Sequence, residues 1–583
     1  MIILFLTILL FGQFRPALAT NEFTVNQSIL FRVNSDKSAS VAQSVTLVNN
    51  LSQIYPQDYS LSLTGPVITL TSPQINPDFQ ITKFNQTGNQ SNINLHLVRP
   101  GIGKDQSTNF SLNYTIKDFV TTKGKTNEIS LPAYQNSLLP ASITAAIVVP
   151  ANLGDLSYSS VPVLSTHNLG DTIEIKLNLS NVSNKILLVF GNHQLVNFKL
   201  KYFLKNDSQV ITNTEITIPP DTNNQSIYLK DIQPRPKNIK IDPDGNWLAE
   251  YQLNSREQIE VNVGGQAKIF PSRQIKTDID SAKYLTSQTF WPVKDPQITA
   301  ISTNFTTARQ VYNYTVKNLT YDYSQINNSS RKGALFALNN PQNSICTEFS
   351  DLFVTLTRNI GIPAREIEGY ALSNNQKVKP VNPNSDILHS WAQYYDSTTK
   401  TWNSVDPTWE NTTNGIDYFT DLDLNHLTFV IHGLSSDYPP PPGAYKSGND
   451  VKTVDVDFAT EEIPLISVPP SFTLSQDSIQ IYNPNNHSLN HLQVVNKKLN
   501  WTESIDTLPP FGKTTVPRPQ ISFFQNALPT NRSYVFQVSS DELYSTSTTT
   551  LQNSSHFLDL TIIIAVSILL LCVGGIMLTT QKK

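Results

Sequence analysis

Cys346, His389 and Asp406 are the residues of this chain whose types and spacing could together do covalent chemistry. A thiol attacks an amide carbonyl as its thiolate and needs a base to take its proton. The base works best when a carboxylate fixes its tautomer. The chain holds 2 cysteines. Cys572 lies in an apolar segment near the C-terminus, so Cys346 stands alone in the part expected to face an oxidising compartment. A disulfide framework and a multi-cysteine zinc site are thereby excluded from that part, and Cys346 becomes a candidate nucleophile.

The elements that must position these groups are legible nearby. Phe349, Leu352, Phe353 and Leu356 recur at helical spacing, which predicts a helix with one buried face that stops at Gly361 and Pro363. Asn343 or Ser344 can cap its start. Cys346 then lies in the first turn, where unpaired backbone N–H groups and the helix dipole favour a thiolate and could later hold an oxyanion. The run from His389 to Asp396 reads as an aromatic-rich strand. Ser397-Thr398-Thr399-Lys400 turns the chain, and Trp402 to Asp406 returns as the antiparallel partner. Two adjacent strands can set an imidazole beside a carboxylate.

Other residues compete for these roles. His426 and His432 are rival bases in the same domain. Trp391 and Trp409 flank the candidate triad as core packing or as walls of an acyl site, and Arg365 and Glu368 read as supports of their strand. A mononuclear metal site from Cys346, His389 and Asp406 is chemically possible, but a cysteine at a helix start argues for a nucleophile, so neither metal nor cofactor is expected.

Five segments are similar, in order and rough spacing, to the transglutaminase-like superfamily. They are Cys346-Thr347-Glu348-Phe349, Gly361-Ile362-Pro363-Ala364-Arg365, Glu368-Gly369-Tyr370, His389-Ser390-Trp391 and Val405-Asp406-Pro407-Thr408-Trp409. The resemblance spans about Trp291 to Gly433. It implies a papain-like α+β core with Cys346 as nucleophile, His389 as general base and acid, and Asp406 as orienting carboxylate. Hydrolysis and protein cross-linking share this triad, and the residues do not choose between them.

The flanking sequence is read as all-β. Alternating runs such as Thr172 to Leu179, punctuated by turns such as Asp242-Pro243-Asp244-Gly245, fill the region before Trp291. Asp295-Pro296 opens the helical part with an N-cap followed by proline. Amphipathic helices are expected around Val311 to Leu319 and Lys332 to Leu338. The expected organisation is a signal peptide at 1–19, a β-sandwich-like domain at 20–195 and a second β domain at 196–285. A transglutaminase-like catalytic domain at 286–437, a Pro-rich linker at 438–470 and a β-sandwich at 471–544 follow. A stalk at 545–558, a transmembrane helix at 559–580 and a cytoplasmic tail at 581–583 complete the chain.

The ends carry the topology. An apolar N-terminal run followed by Ala17-Leu18-Ala19 reads as a cleaved signal peptide, with an uncleaved signal anchor as the alternative. Leu560 to Leu578 lacks charge and as a helix is close to 30 Å long, enough for one membrane span. Lys582 and Lys583 place the tail in the cytoplasm. A formal net charge of -4 without a basic stripe excludes a nucleic-acid partner. The expected function is therefore extracytoplasmic, thiol-dependent acyl transfer or hydrolysis on protein or peptide substrates at the cell surface. The rival is a non-catalytic surface adhesion or assembly protein that uses its β domains.

Overall fold

The computed structural model describes residues 22–64, 67–88, 90–134, 141–180, 182, 185–271, 275–326, 330–373, 388–413, 415–420, 422–448, 452–475, 477–519, 533–540, 544–550 and 564–571. The chain divides into two compact units, 1–192 with 414–417 and 193–413 with 418–583.

The first unit is built of strands. Phe23–Val33 lies at the centre of a seven-stranded sheet, antiparallel to Ala39–Asn49 and parallel to Ala141–Pro150. Strict alternation in Ala39–Asn49 sends Val41, Val45 and Leu47 inward, where they join Phe31, Leu112 and Ile147 in one core. Two four-stranded sheets complete the unit.

The second unit holds the residues of chemical interest. Its centre is a four-stranded antiparallel sheet in the order Thr401–Val405, His389–Asp396, Ala364–Ala371, His426–His432. The helix Cys346–Asn359 packs on this sheet with Pro296–Ser302, Ala308–Asn318 and Ala334–Asn339 around it. Asp295 caps the first of these helices, its Oδ1 accepting the Gln297 N–H at 2.8 Å, as the Asp-Pro pair predicted. The Cys346 helix ends at Gly361, whose φ of 85° suits glycine.

This helix is buried on every side and not on one face only. Beside the apolar row, Glu348, Ser350, Asp351, Thr355, Thr357 and Arg358 are also buried. Arg358 donates to the carbonyls of Ala364, Thr286 and Gly433, so its charge is met by three oxygens contributed by separate segments.

The His426–His432 strand lies at the edge of the central sheet, where unpaired backbone groups would be a liability. Buried amide side chains cover it. Gln225 donates to the Thr428 carbonyl and accepts the Thr428 N–H, and Asn246 does the same for Ile431, all at 2.7–2.9 Å. Both amides belong to the neighbouring β region, whose apolar side chains share one core with Leu427 and Phe429. The scaffold thus holds the sheet's edge in register.

Two expectations meet a different outcome, and a third finds no support. The linker read at 438–470 contains the strand Val454–Ala459, which pairs with Gln194–Lys205 far earlier in the chain. Its alternation Val-Asp-Val-Asp is a strand pattern that the neighbouring proline run obscured. The stalk at 545–558 begins as the strand Tyr544–Thr550, paired with Ser533–Ser539, and its remainder lies outside the described residues. The membrane-spanning helix at 559–580 is not supported. Among the described residues no helix is long and apolar enough to cross a membrane. Residues 564–571 are helical, and the rest of that segment lies outside the described residues, as does the signal peptide at 1–19.

Gly369 marks the tightest point of the central sheet. A Cβ added there would sit 2.1 Å from the Leu427 carbonyl oxygen and 2.8 Å from the Trp391 ring. Gly369→Ala is expected to destabilise the second unit by at least about 3 kcal/mol, because a backbone atom cannot yield as a side chain can. All 6 tryptophans lie in this unit, so the shift in the urea midpoint read by tryptophan fluorescence measures it. An unchanged midpoint would show that the two strands can part.

Candidate active site

Cys346 is the first residue of its helix and only 8% exposed. The cap is Ile345, whose side chain can accept nothing, so neither Asn343 nor Ser344 serves. The start is held by Glu348, which accepts the Ile345 N–H at 3.0 Å and the Lys332 N–H at 3.1 Å. A glutamate at the third helical position reaching back to the cap is half of a capping box.

His389 opens its strand, and Asp406 directly follows the partner strand, with Ala392 opposite Val405 fixing the register. His389 Nε2 lies 2.7 Å from Asp406 Oδ2. His389 and Cys346 line the same cavity of about 380 Å³, and the thiol is also hydrogen-bonded to the backbone N–H of Ser390, the residue after His389. The structure thus brings together all three residues singled out in the sequence.

Asp406 is fully buried and its two oxygens are shared among three donors. Oδ1 accepts the Trp409 N–H at 2.9 Å, capping the helix Pro407–Thr412. Oδ2 meets a second imidazole, His426 Nε2, at 3.1 Å, and the other nitrogen of His426 meets Asp423 Oδ1 at 2.9 Å. Burial alone would raise the Asp406 carboxyl, but His389 and His426 hold it well below the usual carboxylate range. For His426, burial lowers the imidazole, and the bonds to Asp406 and Asp423 overcome this and hold it up at about 9. His426 is therefore a buried imidazolium between two carboxylates at neutral pH.

The thiol behaves otherwise than the helix start alone suggests. Burial pushes Cys346 up to about 12; the Ser390 N–H opposes this, while the charges of Glu348, Glu368 and Asp406 add to it. Desolvation outweighs the helix terminus, so the resting thiol is neutral and must be deprotonated as it reacts.

The remaining candidates divide clearly. His432 has both nitrogens engaged, Nδ1 with Glu366 at 3.1 Å and Nε2 with the Pro439 carbonyl at 2.9 Å, and is no rival base. Trp391 and Trp409 are buried against the rings of His389 and His426 and do not line the cavity. Arg365 stacks on Trp402 and donates to Gln393, supporting its strand as expected. Glu368 instead lines the cavity.

Arg331 was not singled out in the sequence. It pairs with buried Asp351 and Glu366, and Glu366 in turn accepts the Ser390 hydroxyl at 2.7 Å. Two acidic residues in otherwise buried runs, Asp351 in its helix and Glu366 in its strand, were the available sign that a cation had to meet them. His389, Asp406 and His426 are close enough to consider as metal ligands. Their facing atoms are joined by hydrogen bonds, however, and the second nitrogen of His426 is spent on Asp423.

Residues 293–407 match the sequence model of the transglutaminase-like superfamily. No curated protein matches the chain. Among solved structures, the chain is similar to a candidate cysteine protease from Cytophaga hutchinsonii at 13% identity, over 46% of this chain and 98% of that one, with a TM-score of 0.29. It is also similar to the periplasmic domain of TgpA from Pseudomonas aeruginosa at 13% identity, over 39% and 92% of the two chains, with a TM-score of 0.22.

The charge on His426 makes a pH prediction. A histidine raised in the folded state stabilises the fold fully below its unfolded value near 6.5, and the contribution is lost as pH rises through about 9. The stability advantage of the native chain over His426→Gln should fall by on the order of 3 kcal/mol between pH 6 and pH 10. Urea unfolding at those pH values measures it, and a constant advantage would mean that His426 is neutral.

Proposed function

From the premise that residues 293–407 are a transglutaminase-like domain, we propose that the protein is a thiol-dependent acyl-transfer enzyme acting through a Cys346 thioester. The observation that carries this reading is the His389–Asp406 hydrogen bond of 2.7 Å at the wall of a cavity that also exposes the Cys346 thiol. Asp406 accepts the Nε2 proton of His389, so the ring presents Nδ1 to the thiol. The thiol proton passes to Nδ1 as sulfur attacks the amide carbonyl, and the imidazolium so formed is stabilised by the ionised Asp406.

The oxyanion of the tetrahedral intermediate faces the first turn of the Cys346–Asn359 helix, where backbone N–H groups point out of the helix end. Collapse of the intermediate releases the amine, which takes its proton from His389, and leaves the acyl group on sulfur. His389 then deprotonates the second nucleophile. Water gives hydrolysis, and an amine gives a new amide. We further propose that the substrates are proteins or peptides outside the cell, reached by a chain exported through its signal peptide and held by one C-terminal membrane span.

The test is an intact-mass measurement of the protein incubated with a glutamine-containing peptide panel. A mass increase equal to the acyl group and localised to Cys346 is expected, absent in Cys346→Ala. Asp406→Asn and His389→Ala should each lower kcat/KM by about 10³-fold or more. Adding an alkylamine at constant peptide assigns the second step, since a transferase diverts product into the new amide and a hydrolase does not. Turnover that survives Cys346→Ala would sink the proposal.

A further inference from the structure

The cavity beside Cys346 holds one carboxyl group whose position nothing above explains. Strand alternation puts Glu366 and Glu368 on the same face of Ala364–Ala371. Their surroundings differ. Glu366 is engaged by Ser390, His432 and Arg331. The other acidic groups near the thiol are likewise occupied: Glu348 by two backbone N–H groups, and Asp406 by two imidazoles and an N–H. Glu368 has no hydrogen-bond partner among the described residues, yet it lines the cavity with Cys346 and His389, and its charge is felt at the thiol. Glu368 is half-buried, and a carboxylate held at the wall of a reactive cavity without a donor is placed to receive a ligand's cation.

We propose that Glu368 is a specificity-determining residue that receives an alkylammonium group carried by the acyl donor, so that the site selects amides whose acyl part bears a cationic arm. The inference rests on the thioester reading of the same cavity. Arg331 is already committed to Asp351 and Glu366 and acts on Glu368 only through space, after His432.

Ionisation sets the pH window. Burial, followed by the charge of Glu366, pushes Glu368 up to about 7, while His432 and Arg331 oppose this. Asp437 and Lys446 also line the cavity. Cation selection should therefore strengthen as pH rises through about 7 and fade below it.

The experiment compares Cys346 alkylation by chloroacetamide and by its N-(2-ammonioethyl) derivative in the full-length protein, so that the ratio of rates cancels the pH dependence of the thiol. A preference for the cationic reagent of about tenfold is expected at pH 8, shrinking to near one at pH 5.5 and in Glu368→Gln. A ratio near one in the native chain at pH 8, or one untouched by Glu368→Gln, overturns the proposal. In Cys346→Ala, calorimetric titration with cadaverine reads the ammonium subsite without the thiol. Binding weakened about tenfold by adding Glu368→Gln supports the subsite even when the thiol reacts with no reagent, a result that would count against the thioester reading alone. Cadaverine binding without any rate gain for the cationic reagent overturns the assignment to the acyl donor and gives the ammonium to the acceptor amine.

Discussion

The carboxylate of Asp406 carries a full charge at a point with no solvent contact, and the geometry of the site follows from satisfying it. An isolated buried carboxylate would neutralise itself. Here three donors meet its two oxygens: the Trp409 N–H on one, and the imidazoles of His389 and His426 on the other. The helix cap fixes where the carboxylate points, and the carboxylate then fixes which nitrogen of His389 faces away from it. Asp423 balances the charge of His426 on the far side. The result is an alternating chain of acids and imidazoles that ends at the cavity wall next to a neutral thiol. The reactive ion pair is made only when the proton moves.

The surrounding structure serves the same end by the same means. Glu348 holds the start of the Cys346 helix, while Arg331 ties Asp351 on that helix to Glu366 on the central sheet. Glu366 accepts the hydroxyl of Ser390, whose N–H supports the thiol. Helix and sheet are thus joined by charge where they must stay aligned, and breaking such a buried pair by removing one partner is far more costly than its net contribution suggests. Gln225 and Asn246 perform a neutral version of this task at the edge of the sheet, one strand from the chemistry. The β region in which they lie is therefore part of what keeps His426 in place.

How much of this could be read in advance depended on how local each interaction is. Cys346, His389 and Asp406 were legible because the chemistry restricts their types, and because a strand, a turn and a returning strand bring the last two together within a short stretch. The end of the helix at Gly361 and the start at Asp295-Pro296 were equally local. His426 could be recognised only as a histidine in the right domain, since its place beside Asp406 depends on its bond to Asp423 and on the covered sheet edge. The neutral resting thiol was not foreseen, because position at a helix start is written in the sequence and depth of burial is not. The pairing of Val454–Ala459 with Gln194–Lys205, the Arg331 network and the place of Glu368 at the cavity wall all depend on tertiary contacts that no local pattern encodes.

At the centre of the site one buried carboxylate organises two imidazoles by hydrogen bonds of fixed geometry, one of them held as a cation. Nitrogen-15 spectra of the protein labelled at its 9 histidines, assigned with His389→Gln and His426→Gln, test it most directly. The account predicts that both ring nitrogens of His426 carry protons at pH 7 and that one is lost near pH 9. It predicts equally that the proton of His389 facing Asp406 resides on Nε2. A His426 ring with a single protonated nitrogen at pH 7, or a His389 ring protonated on Nδ1 alone, would contradict it.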